Sequence, residues 1–201
     1  EEQREALTLA DLAAVGSIAD VVPIVGENRA IVRLGLARLD AGEPGPALGA
    51  LREGARRLAR IGRGSDVARA LYNLGNAAAL IGEDEAALEA VEQARLSVAA
   101  RHDPSLQAYT RIVEAEVRLR RGEKRALVGL VDELLPLGAA GNDRDRAVIG
   151  ARTALLQLGI GDTDGAGRSL GRALGAAQQD GSPAAAVECA LSESQIALAL
   201  G

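Results

Sequence analysis

The chain has 201 residues and a net charge of −5; its basic residues are Arg apart from the single Lys124, and it holds no Met, Phe or Trp. That acidic balance argues against a non-specific nucleic-acid footprint, which needs an excess of basic side chains to displace counterions. One cysteine, Cys189, excludes an internal disulfide and a zinc site, so nothing requires an oxidising compartment and a cytoplasmic location is expected.

Ala, Leu, Arg and Glu dominate, and the only aromatics are Tyr72 and Tyr109, so strands are disfavoured and the expected fold is all-α. The most apolar stretch, Leu12 to Val25, is too short to cross a membrane and is interrupted by Asp20 and Pro23. No secretory signal is present. The absence of Met even at position 1 leads us to expect a piece of a larger protein.

In chain order, residues 1–24 read as the second helix of an earlier pair, ahead of the break at Pro23 and Gly26. Helix pairs follow over 25–64, 65–103, 104–142 and 143–182, and 183–201 reads as the first helix of a truncated pair. Within them, first helices are expected near 29–41, 66–81, 104–121, 143–159 and 183–200, and second helices near 45–61, 84–100, 124–138 and 164–179. Together they make one solenoid over 1–201, cut through the repeat at both ends.

This division rests on a period of about forty residues. Gly42, Gly82, Gly122, Gly161 and Gly201 are separated by 40, 40, 39 and 40 residues, and the first four precede Glu43, Glu83, Glu123 and Asp162. An alanine follows four or five residues later (Ala47, Ala87, Ala126, Ala166), then Leu51, Val91, Leu130 or Leu170. Seven residues before each glycine stands a small residue, Gly35, Gly75, Ala115 or Ala154, where two backbones approach closely. Glycine accepts the left-handed conformation that ends a helix, and the acid after it favours the positive end of the next. Asn28, Ser65, Asp103, Asn142 and Ser182 are the expected N-caps, with Pro104 and Pro183 at first helical positions and Gly64, Gly141 and Gly181 as stops.

The run Leu71-Tyr72-Asn73-Leu74-Gly75-Asn76, followed by Gly82, Ala87, Val91 and Ala94, resembles the tetratricopeptide repeat. Ile31, Leu34, Gly35, Gly42, Ala47 and Leu51 carry the same pattern one repeat earlier, and Ala154, Gly161, Ala166, Leu170 and Ala173 carry part of it later. The period is longer than the 34 residues of the common form. That length is similar to the tetratricopeptide-like regions of large bacterial regulators.

The resemblance implies an α–α superhelix whose first helices line a concave surface that binds an extended peptide, a partner protein or another domain of the same polypeptide. On the best repeat that surface would carry Arg69, Tyr72, Asn73 and Asn76, with Asn73 and Asn76 in the place of the family's groove asparagines. An amide offers both a donor and an acceptor to any peptide backbone. Neighbouring repeats would add Arg29 and Arg33 before it, Tyr109, Ile112, Glu116 and Arg120 after it, and Arg152 last. Arginines suit a carboxylate or an acidic segment.

Catalytic ingredients are sparse. His102 falls just before a helix start, Cys189 lies on the last helix without a base beside it, and Lys124 has no Walker context. The Gly159–Gly165 run falls on the periodic turn and lacks the strand and the Glu of phosphate or calcium loops. Gly167, Gly171 and Gly175 share one helix face, expected to admit a close neighbouring helix. Arg118, Arg120, Arg121, Lys124 and Arg125 form the densest basic cluster, expected as a solvated face. The expected function is therefore non-catalytic interaction or sensing within a larger signalling protein, without cofactor, metal, nucleic acid or membrane. The alternative is a small-molecule-sensing arm of an ATPase, kinase or protease whose catalytic domain lies elsewhere.

Overall fold

A computed structural model describes residues 46–60, 62, 64–97 and 101–200. The helices expected over 1–24 and 29–41, with the Gly42 turn, lie outside the described residues. The described part is all-α, built from packed helix pairs. Its helices are α1 (Pro46–Arg60), α2 (Gly64–Leu80), α3 (Asp84–Leu96), α4 (Pro104–Arg120), α5 (Lys124–Ala139), α6 (Asp143–Ile160), α7 (Thr163–Asp180) and α8 (Pro183–Leu200). None is long and apolar enough to cross a membrane. The chain divides into two compact units, Glu1–Ala94 and Arg95–Gly201.

In the first unit α1 packs on α2. The seam between α2 and α3 is built mainly from alanine: Ala77 and Ala78 on α2 and Ala87, Ala90 and Ala94 on α3 are buried, with Leu74 and Val91 the larger members. Small side chains draw the two backbones together at Gly75, where an added Cβ would stand 2.5 Å from Val91 Cγ1 and 3.1 Å from the Ala87 carbonyl oxygen. The small residue seven positions before the turn glycine is thus a steric requirement. Gly82, with φ of +81°, ends α2, and the Glu83 N–H donates back to the Ala78 carbonyl at 2.9 Å. The stop between α1 and α2 is Gly62, φ +74°; Gly64 opens α2 and Ser65 lies inside it, so neither is the boundary residue expected.

The second unit stacks α4 to α8. Asp103, Asn142 and Asp162 cap α4, α6 and α7 by accepting from the N–H groups of Leu106, Asp145 and Gly165. Ser182 does the same for α8 through Ala185, and Pro104 and Pro183 open their helices. Positive φ at Gly122, Gly161 and Gly181 closes the turns. Gly141 differs: α5 ends in right-handed backbone at Ala140, and Gly141 is needed because a Cβ would sit 2.7 Å from Asp145 Cβ.

One core joins Ala108, Ile112, Ala115, Leu127, Leu134, Ile149 and Leu156 across α4, α5 and α6. Two smaller clusters join α6, α7 and α8, one around Ala147, Ala173 and Cys189, the other around Ala154, Leu170 and Ile196. Ile112 is fully buried there, which corrects its expected place on an exposed surface. Ala126 is exposed, and the inward position is Leu127, fully buried. Counting five residues from the turn glycines at 82, 122 and 161 gives the buried series Ala87, Leu127 and Ala166.

First helices stack directly, α4 on α6 and α6 on α8, whereas the second helices α5 and α7 barely touch. The second unit therefore curves with its first helices on the inside. The Gly167, Gly171 and Gly175 face does not admit a close helix: an added Cβ at any of the three would meet nothing within 4 Å.

Candidate functional site

On α2 the expected groove residues fall at helical spacing of three and four. Asn73 and Arg69 are exposed; Tyr72 and Asn76 are half-buried. Leu74, Ala77 and Ala78 point into the core, and this holds the intervening polar positions outward. No hydrogen bond to a described residue engages the Asn73 or Asn76 amide, whereas Arg69 and Tyr72 are both engaged. Arg29 and Arg33 lie outside the described residues.

The corresponding stripe on α4 is spent on α6. Tyr109 Oη donates to Asp145 Oδ1 at 2.9 Å, and Ser105 Oγ donates to Asp145 Oδ2 at 2.6 Å. Two turns further along, Arg152 Nη2 lies 2.6 Å from each oxygen of Glu116, with Nε 3.0 Å from Oε1. Partners stand 36 or 40 residues apart, so these bonds link successive first helices, the 36-residue pairs being offset by about one turn from equivalent positions of the repeat. Tyr109, Glu116 and Arg152 are brought together as a lateral lock. Arg120 is exposed at the end of α4 and is engaged as well.

The basic cluster is partly neutralised. Arg118 binds Glu114 and Glu123 at 2.9 Å each, and the Glu114 hydrogen bond, with Glu123 beside it, raises the guanidinium pKa still further. Glu123, expected to favour the start of α5, makes no cap bond there and turns back to Arg118. Arg111 bridges Glu114 and Glu133 at 2.7 Å each.

His102 is an exposed turn residue. Cys189 is fully buried, its Sγ 3.8 Å from the Ala147 carbonyl oxygen, and burial pushes its thiol above the usual 9.0. Among the described residues no group of three or more His, Cys, Asp or Glu is placed to hold a metal. In the Gly159–Gly165 run, Gly161 forms the left-handed cap and Asp162 caps α7. Gln157 Nε2 reaches Asp162 at 3.5 Å, and its Oε1 is buried with no hydrogen-bond partner.

One feature is invisible in the repeat pattern. The gap between α5 and α7, floored by α6, is a cavity of about 450 Å³. Leu134 and Leu135 form one wall, Ile149 and Thr153 the floor, and Arg172 and Ala176 the other wall.

Each unit is a stack of packed helices with polar side chains on its first helices. No protein-family model matches the chain significantly, and neither does any solved structure. Among curated proteins, a stretch of 82 residues, 41% of this chain, is 45% identical to the single-stranded-DNA-specific exonuclease RecJ of Thermus thermophilus, and the match spans 12% of that protein's length.

Proposed function

We propose that this chain is a tetratricopeptide-type interaction scaffold in a bacterial cytoplasmic signalling protein. It binds an extended peptide, a partner protein or another domain along its first helices and performs no turnover of its own. The observation that carries this reading is the pair of amides at Asn73 and Asn76, three residues apart on the polar face of α2 and without a hydrogen bond to any described residue. On α4 and α6 the same kind of face is closed by the Tyr109–Asp145 and Glu116–Arg152 contacts, so α2 is where a strand of backbone has amides to meet. Arg69 and Tyr72 flank that position and supply charge and an aromatic edge. The net charge of −5 and the paired state of Arg118 favour a protein over a nucleic acid as partner.

A photo-crosslinking amino acid placed at position 73 tests this in living cells. A discrete crosslinked species from position 73, absent when the same residue replaces the exposed His102, is expected. Equal or no crosslinking at both positions contradicts the reading.

A second reading, a small-molecule-sensing arm, is favoured by the cavity between α5, α6 and α7. Its size falls within the roughly 300–1,000 Å³ of ligand pockets.

A further inference from the structure

The cavity on the outer side of the second unit has features that the packing of the helix pairs does not require. Successive second helices α5 and α7 barely touch, and α6 runs beneath the gap between them. Residues at helical spacing line it from all three: Leu134 and Gly138 on α5, Ile149 and Thr153 on α6, Arg172 and Gly175 on α7. Gly175 keeps the space open, because a Cβ there would meet nothing within 4 Å.

The polar groups sort by charge. Thr153 Oγ1 is spent on the Ile149 carbonyl at 2.7 Å. Arg146 lines the cavity with Asp143 and the Gly141 carbonyl as its partners. Arg172 meets the neutral Ser169 hydroxyl at 3.2 Å and forms no ion pair with a described carboxylate. No Asp or Glu lines the cavity. An apolar trough whose lining charges are both cationic, one of them without a counter-ion, is complementary to a ligand with one anionic head and an apolar tail.

We propose that the α5–α6–α7 cavity binds a small amphiphilic carboxylate, its tail along Leu135, Gly150 and Gly175 and its head on Arg172. This rests on the sensing reading and names the ligand class. It is independent of the peptide surface on α2.

Isothermal titration of the 201-residue chain with decanoate, below the concentration at which decanoate forms micelles, tests it against two probes of equal tail length, decanol and decyltrimethylammonium. Saturable binding of one decanoate per chain, with decyltrimethylammonium silent and decanol weaker by about tenfold, is expected. Arg172→Gln should cost decanoate about the same factor while leaving decanol unchanged. Gly175→Leu fills the trough from a position with free space, and should abolish decanoate binding with the melting temperature unchanged or raised. Equal binding of all three probes, lost in Gly175→Leu, would overturn the anionic ligand class and leave the sensing cavity standing. No saturable binding of any probe, or binding that survives Gly175→Leu, would overturn both.

Discussion

Arg152 on α6 grips Glu116 on α4 through two guanidinium nitrogens, with Nη2 2.6 Å from both carboxylate oxygens. The side chains are 18% and 32% exposed, so solvent screens the pair only in part. It ties one repeat to the next rather than the two helices of a pair. A double-mutant cycle of Arg152→Met and Glu116→Gln, followed by urea unfolding, should give a coupling of about 1 kcal/mol that shrinks at high salt. Additive effects of the two substitutions would show that the lock does not stabilise the stack.

Gly75 sets how close α2 and α3 come. Leucine at that position would drive its Cβ into Val91 and the Ala87 carbonyl, so Gly75→Leu should destabilise by about 1–3 kcal/mol. Thermal unfolding by circular dichroism reads this directly, and an unchanged melting temperature would contradict the packing of the two helices.

The glycines of α7 make the opposite case. Gly171 is exposed, helical and has open space where a Cβ would go. Gly171→Ala should therefore stabilise by roughly 0.5–1 kcal/mol, through reduced backbone freedom in the unfolded chain. A loss of stability would mean that a neighbour needs that face bare.

Burial of Cys189 has a pH signature. Its folded pKa is raised, first by desolvation and then by Glu188 and Glu193, so its contribution is fully present below pH 9.0. As pH rises past that value the unfolded chain ionises first and stability falls, until the folded thiol ionises too. Cys189→Ala should flatten that part of the pH–stability curve relative to the parent chain. In the native state the thiol should also react with a disulfide reagent far more slowly than in urea. Equal rates would contradict its burial.

Much of the fold was legible because turn chemistry is local. The glycines at 82, 122 and 161 each need positive φ, Asp103, Asn142 and Asp162 each cap a helix with their own side chains, and those constraints mark boundaries whatever the tertiary context. What depends on the offset between helices was not legible. Tyr109, Glu116 and Arg152 read as a binding surface, because a repeat pattern does not reveal that residue n of α4 meets residue n + 36 of α6. Ile112, one position from the polar Arg111 on the same helix, turned out fully buried for the same reason. The glycine face of α7 reads as a contact in the sequence because small residues accompany both close packing and open space. The cavity left no sequence signal, since its apolar lining is Leu, Ile, Gly and Ala like the core positions nearby, and Arg146 and Arg172 fall among the many arginines of the other helices.

The most direct test of the interaction scaffold compares two double variants in affinity capture from the native cell lysate, with folding monitored by circular dichroism. Asn73→Ala/Asn76→Ala should lose the partner captured by the parent chain while keeping its melting temperature, since neither amide bonds to a described residue. Glu116→Ala/Arg152→Ala should lose melting temperature through the broken lock between α4 and α6 and still capture the partner. Undiminished capture by the folded asparagine variant would place the interface elsewhere and contradict the assignment of α2 as the binding face.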